Sequence, residues 1–313
     1  MPSHVTVTVP RMRYVIVHYH IFKNGGTTLE SVFAREFGEG FATLDGADAN
    51  ATLTGSDLAA YLETTPEISA VSSHHLRYPK PEIARTVVFD CCFLRHPLAR
   101  LHSHFTYLKQ TEGLGESAGE FLEHLIDAAP HQVSDVQVHQ LANGGAFTRP
   151  ASDYDLEKAT QIVRLMAIPG LVSMFDESLA AAEYFLRPAF PSIRLEYVAQ
   201  NVTSSRRDPP GERLDYLMEL WGADLYEKLA KLNQMDMELF RRTRTEIARR
   251  LDLVPRAEER LAEFRARCRQ LAGESPTSAQ RPSSAAPGVS SPNPASAPDE
   301  RDPAPAHRQA QVP

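Results

Sequence analysis

Within the first forty residues the apolar positions change their period. Tyr14, Val15, Ile16 and Val17 form a continuous β-branched and aromatic run, as a strand buried on both faces would, whereas Leu29, Val32, Phe33 and Phe37 recur at helical spacing. The two patterns alternate along the chain: strands are predicted near 13–19, 68–72, 86–94 and 192–198, and helices over 27–37, 98–109, 153–166 and 176–187. From about residue 213 to 271 the spacing is helical almost throughout, and the Met, Leu and Phe pattern over 225–240 reads as helix packing. Strands alternating with helices predict an α/β sandwich of three layers, with a central, mainly parallel sheet and a helical C-terminal part. The folded domain is expected to span 1–272. Residues 273–313 consist mostly of Pro, Ser, Ala and Gly with almost no large apolar side chain, so burial cannot offset the entropy of ordering and a disordered tail is expected.

Chemistry enters between the first strand and the first helix, in HIFKNGGTTL at 20–29. Gly25 and Gly26 let the backbone turn sharply and approach a ligand, and the free amides and positive dipole end of the helix favour an anion. The hydroxyls of Thr27 and Thr28 add neutral donors, and Thr27 with Glu30 has the form of a capping box. A Walker A loop sets its lysine after the glycines. Here Lys23 precedes them, which argues against an ordinary nucleoside triphosphatase while leaving phosphate binding intact.

With its lysine ahead of paired glycines and threonines, the loop resembles that of the sulfotransferases, H-x-x-K-[TN]-G-G-T-[ST]-L, which binds the 5′-phosphosulfate of 3′-phosphoadenosine 5′-phosphosulfate (PAPS). A second segment strengthens the resemblance: the strand at 86–94 runs into RHPLARLHSHF at 95–105, matching a family strand that ends in R-[DE]-P and is followed by a serine eight residues after the arginine. Arg95 and Ser103 have that spacing. A guanidinium fork matches phosphate oxygens bidentately, and Pro97 suits the first turn of the helix that carries the serine. The resemblance implies a P-loop-like fold, with Lys23, Asn24, Gly25, Gly26, Thr27 and Thr28 around the 5′-phosphate and Arg95 with Ser103 on the 3′-phosphate. It also favours a nucleotide contact for Arg207. Segments 171–185, 200–207 and 223–240 are similar to those of carbohydrate-type members related to heparan sulfate 2-O-sulfotransferases. Two positions depart from the pattern: Phe22 replaces a common proline, which is expected to change only loop stiffness, and His96 replaces an acid, which brings a titratable and potentially cationic ring beside Arg95.

An acid–base group is sought in ISAVSSHHLRYPKP at 68–81, where His74 and His75 fall just past a predicted strand, the place where open α/β sheets hold ligand groups. Matching Leu76 and Tyr78 to the family pattern S-G-H-x-x-[YF] puts His75 on the catalytic base, with His74 one position away as the alternative. The reaction so implied is in-line transfer of a sulfuryl group to a hydroxyl: Lys23 stabilises the leaving oxygen, a histidine takes the proton, and 3′-phosphoadenosine 5′-phosphate (PAP) is released. No metal is called for, and neither the pair His18 and His20 nor the pair His102 and His104 has the i, i+4 spacing of a helical metal site. The acceptor suggested by the family is a carbohydrate, ahead of a natural product or a lipid-linked hydroxyl. Two other readings stay open: a P-loop-type kinase or nucleotidase using ATP and Mg²⁺ held by Asp90 in TVVFD, and an inactive relative that only binds PAP or PAPS.

Charge and composition narrow the partners. The tail has four acids (Glu274, Asp299, Glu300, Asp302) against three bases (Arg281, Arg301, Arg308), so its formal charge is −1 and the remaining −6 of the chain's −7 belongs to the domain. No basic run with interleaved aromatics suggests nucleic acid. The sequence has no apolar stretch of bilayer length and no signal-peptide core, so integral membrane contact is not expected and a cytoplasmic location is. Three cysteines, two of them adjacent in a predicted buried strand, suit free thiols in a reducing compartment.

Overall fold

A computed structural model describes residues 12–48, 51–200 and 210–274. The expected disordered tail, apart from its first two residues, lies outside the described residues, as does Arg207.

The chain runs β1 (Arg13–Tyr19), α1 (Gly26–Phe37), β2 (Phe41–Thr43), α2 (Gly55–Thr64), β3 (Ala70–Ser73), β4 (Thr86–Leu94), α3 (Pro97–Thr111), α4 (Ala118–Ala128), α5 (Val136–Ala142), α6 (Asp153–Leu165), β5 (Ile168–Leu171), α7 (Phe175–Leu186), α8 (Pro210–Trp221), α9 (Ala223–Leu232), α10 (Gln234–Asp252) and α11 (Ala257–Glu274). The five strands form one sheet in the order β2-β3-β1-β4-β5, and every pairing is parallel. The α/β sandwich and the helical C-terminal part are therefore as the sequence pattern predicts, with α11 running two residues past the 272 boundary.

Strand alternation splits the apolar side chains between two cores, one on each face of the sheet. Val15, Val17, Val71, Cys92 and Leu94 point to one, which is completed by α2, α5, α6 and α10. Ile16, Ala70, Cys91, Phe93 and Ile168 point to the other, against α1, α7 and α11. α1 buries Leu29, Val32 and Phe33 there, each contributing roughly 1.5–3 kcal/mol relative to exposure. A third cluster joins α3, α4, α8 and α9 around Leu101, Leu122 and Trp221. All three cysteines are free, with Cys91 and Cys92 buried.

One predicted strand is corrected. Residues 192–198 join no sheet: the Leu195 amide donates to Glu183 Oε1 at 2.8 Å and the Tyr197 amide to Cys268 Sγ at 3.4 Å, so side chains of α7 and α11 take the place of a partner strand. The fifth strand is instead β5, paired with β4 from Cys91↔Ile168 to Leu94↔Leu171. Its Pro169 and Gly170 hide the strand signal in the sequence, and its edge position tolerates the missing amide hydrogen. β2, with three residues, is too short to show a period.

In a parallel sheet all carboxyl ends share one edge. β1 leads towards β2 and β3 on one side, while its neighbour β4 leads towards β5 on the other. The crevice between their ends is the topological switch point at which such sheets bind ligands.

Candidate functional site

The loops that leave β1 and β4 meet at that crevice. After β1 the chain turns through Lys23, at φ 68°, and Gly25, at φ 79°, before α1 begins at Gly26. A left-handed lysine is a strained backbone of the kind found at functional sites. Gly25 occupies the N-cap of α1 and no side chain caps the helix, which leaves its first amides directed at the crevice. The expected capping box from Thr27 to Glu30 is not formed. Thr27 is exposed in the first turn, and Glu30 turns inward, where His20 Nδ1 lies 3.0 Å from its Oε1 and Ser72 Oγ donates to the same oxygen at 2.8 Å. Burial raises the Glu30 pKa, but these bonds outweigh it and the carboxyl ends below its ordinary value.

Gly26 is required for a reason that the sequence does not show. A Cβ there would lie 1.8 Å from His20 Nε2, so the helix begins in contact with the imidazole face. That ring is stacked on His18, centroids 4.9 Å apart, and packs at a tilt against His74, 3.8 Å apart. His18 Nδ1 bonds Ser72 Oγ at 2.9 Å. The ligating atoms of His18, His20 and Glu30 lie within 4.8 Å of one another, the one group among the described residues with that potential. Spacing along the chain missed it because the three come from a strand, its exit loop and the next helix. Their Nδ1 atoms and Glu30 Oε1 are already engaged, His20 directly with Glu30 and His18 through Ser72.

Cations converge on the crevice. Arg95, directly after β4, donates from Nη1 to the Lys23 carbonyl at 3.2 Å, which joins the two motifs. Lys23 Nζ lies 4.2 Å from the centroid of Tyr107 and 5.4 Å from that of Phe22, both rings 40% exposed, an attraction between cation and ring face. Phe22 thus does more than alter loop stiffness: it forms one wall around the ammonium, packed edge-on against His104 and Tyr107. Burial and the Arg95 charge lower the Lys23 pKa. His104 is pushed down to about 4 by burial, with Arg100 and Lys23 adding to the shift. Positive groups that destabilise one another's charge are suited to an anion.

The remaining expected residues fall as follows. Thr28 is buried, and its Oγ1 accepts the Gln200 amide at 3.0 Å, so its own proton remains to donate. Asn24 faces inward rather than towards the crevice, donating from Nδ2 to the Phe93 carbonyl and to Gln137 Oε1, both at 2.9 Å. Ser103 is buried two turns along α3. His96, at the N-cap of α3, is not a second cation: burial pushes its pKa down to about 4, and its ring packs edge-on against Phe240.

His74 and His75 follow β3. The Gly46 amide donates to His75 Nδ1 at 2.8 Å. An amide can only donate, so this nitrogen holds the lone pair, and the proton of the neutral ring is on Nε2. Asp45 Oδ1 lies 3.5 Å from the same nitrogen, so His75 Nδ1 is engaged from two sides. His74 is anchored by its backbone, donating to Asp45 Oδ1 at 2.8 Å, while its ring lies over His20. Burial, and the neighbouring His20, lower its pKa and keep it neutral near pH 7.

Asp90, the candidate Mg²⁺ ligand of a kinase, lies in mid-strand four residues before the end of β4, about 13 Å from it at strand rise. It is 2% exposed and accepts from Lys80 Nζ at 2.8 Å, Tyr78 Oη at 3.0 Å and the Ala167 amide at 3.1 Å. A carboxylate so placed and so occupied is a structural anchor.

Gln137 is the residue that sequence reading missed. Fully buried on α5, it contacts both motifs and has no charge or glycine signature to announce it.

The sequence model described as "Sulfotransferase family" matches residues 8–241. A protein of Archaeoglobus fulgidus described as "Uncharacterized protein" is 27% identical over 246 residues, covering 73% of this chain and 95% of that protein.

Proposed function

This chain belongs to the sulfotransferase family, whose members transfer a sulfuryl group, and on that premise we propose that its donor is PAPS and its acceptor a hydroxyl, with a carbohydrate the favoured carrier. The observation that carries the reading is the meeting of Lys23 and Arg95, from motifs 72 residues apart, at the uncapped start of α1. Two grips on one crevice suit a nucleotide with phosphates at both its 3′ and 5′ ends.

The donor supplies an activated sulfuryl group. The amides of α1 and the hydroxyls of Thr27 and Thr28 hold the 5′-phosphate end, while Arg95 and Ser103 hold the 3′-phosphate. Lys23 leaves its aromatic neighbours to stabilise the negative charge that grows on the bridging oxygen as the S–O bond breaks. His74 takes the proton of the attacking hydroxyl, for which the neutral ring and the committed lone pair of His75 are the support. The products are a sulfate ester, PAP and a protonated histidine. Exposed Phe22 and Tyr107 beside Lys23 offer flat apolar faces on which the ring of a sugar can rest. Among the described residues no helix is long and apolar enough to cross a membrane.

Nucleotide choice tests the reading. PAP binds at least tenfold tighter than AMP in titration calorimetry, and Arg95→Ala removes most of that gap, because a charge-assisted contact contributes roughly 1.5–3 kcal/mol. Equal affinities in the intact protein would sink the proposal.

A further inference from the structure

Gln137 touches neither the proposed donor nor the proposed acceptor, yet each of its four hydrogen-bonding positions is used, three of them on the two phosphate motifs. Its Oε1 accepts from Asn24 Nδ2 and from the Arg95 amide, both at 2.9 Å. Its Nε2 donates to the Arg95 carbonyl at 2.9 Å and to Asp236 Oδ2 at 3.2 Å. A primary amide has two lone pairs and two N–H groups, so its capacity is filled. No other natural side chain of this length carries both functions.

The amide is itself held from behind. Asp236 on α10 accepts the backbone amides of Gln137 at 3.0 Å and Val138 at 2.8 Å, and its own amide donates to Asp135 Oδ1 at 2.9 Å. The bonds to Asn24 and Asp236 are buried, where an unmade bond is costly, and the two to Arg95 are part-buried. Asn24 lies on the loop after β1 and Arg95 on the turn after β4. One planar group therefore sets how far the loop that holds the 5′ end stands from the arginine that holds the 3′ end.

We propose that Gln137 is a positioning residue that fixes the separation of the two phosphate grips, so that preference for a 3′,5′-bisphosphate depends on a side chain outside the crevice. This inference rests on the PAPS reading above. A ligand that spans both grips feels their spacing, while a monophosphate held at one grip does not. Loss of the bridge should therefore act on the ratio of the two affinities, an effect that general destabilisation does not produce.

The test is calorimetric titration of PAP and AMP into the intact protein and Gln137→Met, a near-isosteric change without hydrogen bonds, with Val138→Ala as a control for core damage on the same helix. The expected result is a PAP-over-AMP ratio of at least tenfold in the intact protein and in Val138→Ala, falling below about threefold in Gln137→Met, with AMP affinity changed less than about threefold. If circular dichroism shows that Gln137→Met does not fold, Asn24→Ala cuts the same bridge from the loop side and the same fall is expected. A folded bridge variant that retains the tenfold ratio overturns the role of Gln137 and leaves the PAPS reading standing. A ratio near one in the intact protein overturns the PAPS reading and the inference with it.

Discussion

Replacing Gly26 by alanine isolates a steric contact that the structure makes quantitative. Its φ lies outside the left-handed region, so alanine is tolerated by the backbone and the cost falls on the neighbour. The new Cβ would lie 1.8 Å from His20 Nε2, 2.0 Å from Cε1 and 2.3 Å from Cδ2, against ordinary contacts above 3.4 Å. The ring has little room to move, because His18 and His74 pack against it with centroids 4.9 and 3.8 Å away. It can leave only by giving up its 3.0 Å bond to Glu30, or α1 must shift. Overpacking of a tight site costs about 1–3 kcal/mol and loss of a bond to an ionised partner about 1.5–3 kcal/mol. The better helix propensity of alanine returns at most about 1 kcal/mol. A net loss of about 4 kcal/mol is expected, which lowers the Tm by roughly 8–16 °C for a domain of this size. Urea denaturation of the single and double variants measures it: Gly26→Ala combined with His20→Ala should be no less stable than His20→Ala alone, giving a coupling of at least about 1.5 kcal/mol. A Gly26→Ala protein within about 0.5 kcal/mol of the intact one, in the range of neutral surface changes, or strictly additive variants, would refute the reasoning.

Three further outcomes are expected. Lys23→Ala should lower turnover by about 10²–10³ with a smaller effect on PAP affinity; normal turnover with weaker binding would make Lys23 a uniform binding contact. His74→Ala should lower turnover by about 10²–10⁴ while keeping PAP affinity, and His75→Ala should cost much less; the reverse order in steady-state assays would mean that the Gly46 bond does not set the His75 tautomer during turnover. His96 and His104 titrate near 4 in the folded protein and near 6.5 when unfolded. The unfolded chain thus binds more protons between those values, and stability is complete above pH 6.5 and falls as the pH drops towards 4. Asp135, whose pKa is raised by burial and by Asp236, opposes this by taking up its proton early in the folded state. His104→Phe should flatten the fall in the unfolding free energy from urea titration over pH 6.5–4, by at most about 3 kcal/mol, and a profile parallel to that of the intact protein would count against a neutral buried His104.

Much of the architecture is local information and could be read without coordinates. The apolar run of β1, the helical periods of α1, α3, α6 and α7, and the loop composition at 20–29 depend on neighbours a few residues apart, and the helices appear within two residues of their expected bounds. The Arg95 motif is likewise contiguous. Which side chains serve the crevice and which serve the interior is not local information. Asn24 reads as a ligand donor but is taken by Phe93 and Gln137; Glu30 reads as a cap but is taken by His20 and Ser72. His75 matches a family pattern, yet an amide from residue 46 claims its lone pair, and β5 carries Pro169 at a sheet edge that tolerates it and Gly170 where the Phe93 ring would lie 2.4 Å from an added Cβ. In each case the deciding partner is far away in sequence, and a hydrogen-bonding group has too few lone pairs and protons to serve two masters. Sequence by itself determined the order of elements and the two anion-seeking motifs. The tertiary structure decided how those motifs are spaced, through Gln137 and Asp236, because that spacing is a property of α5 and α10 packed against the strand ends rather than of either motif.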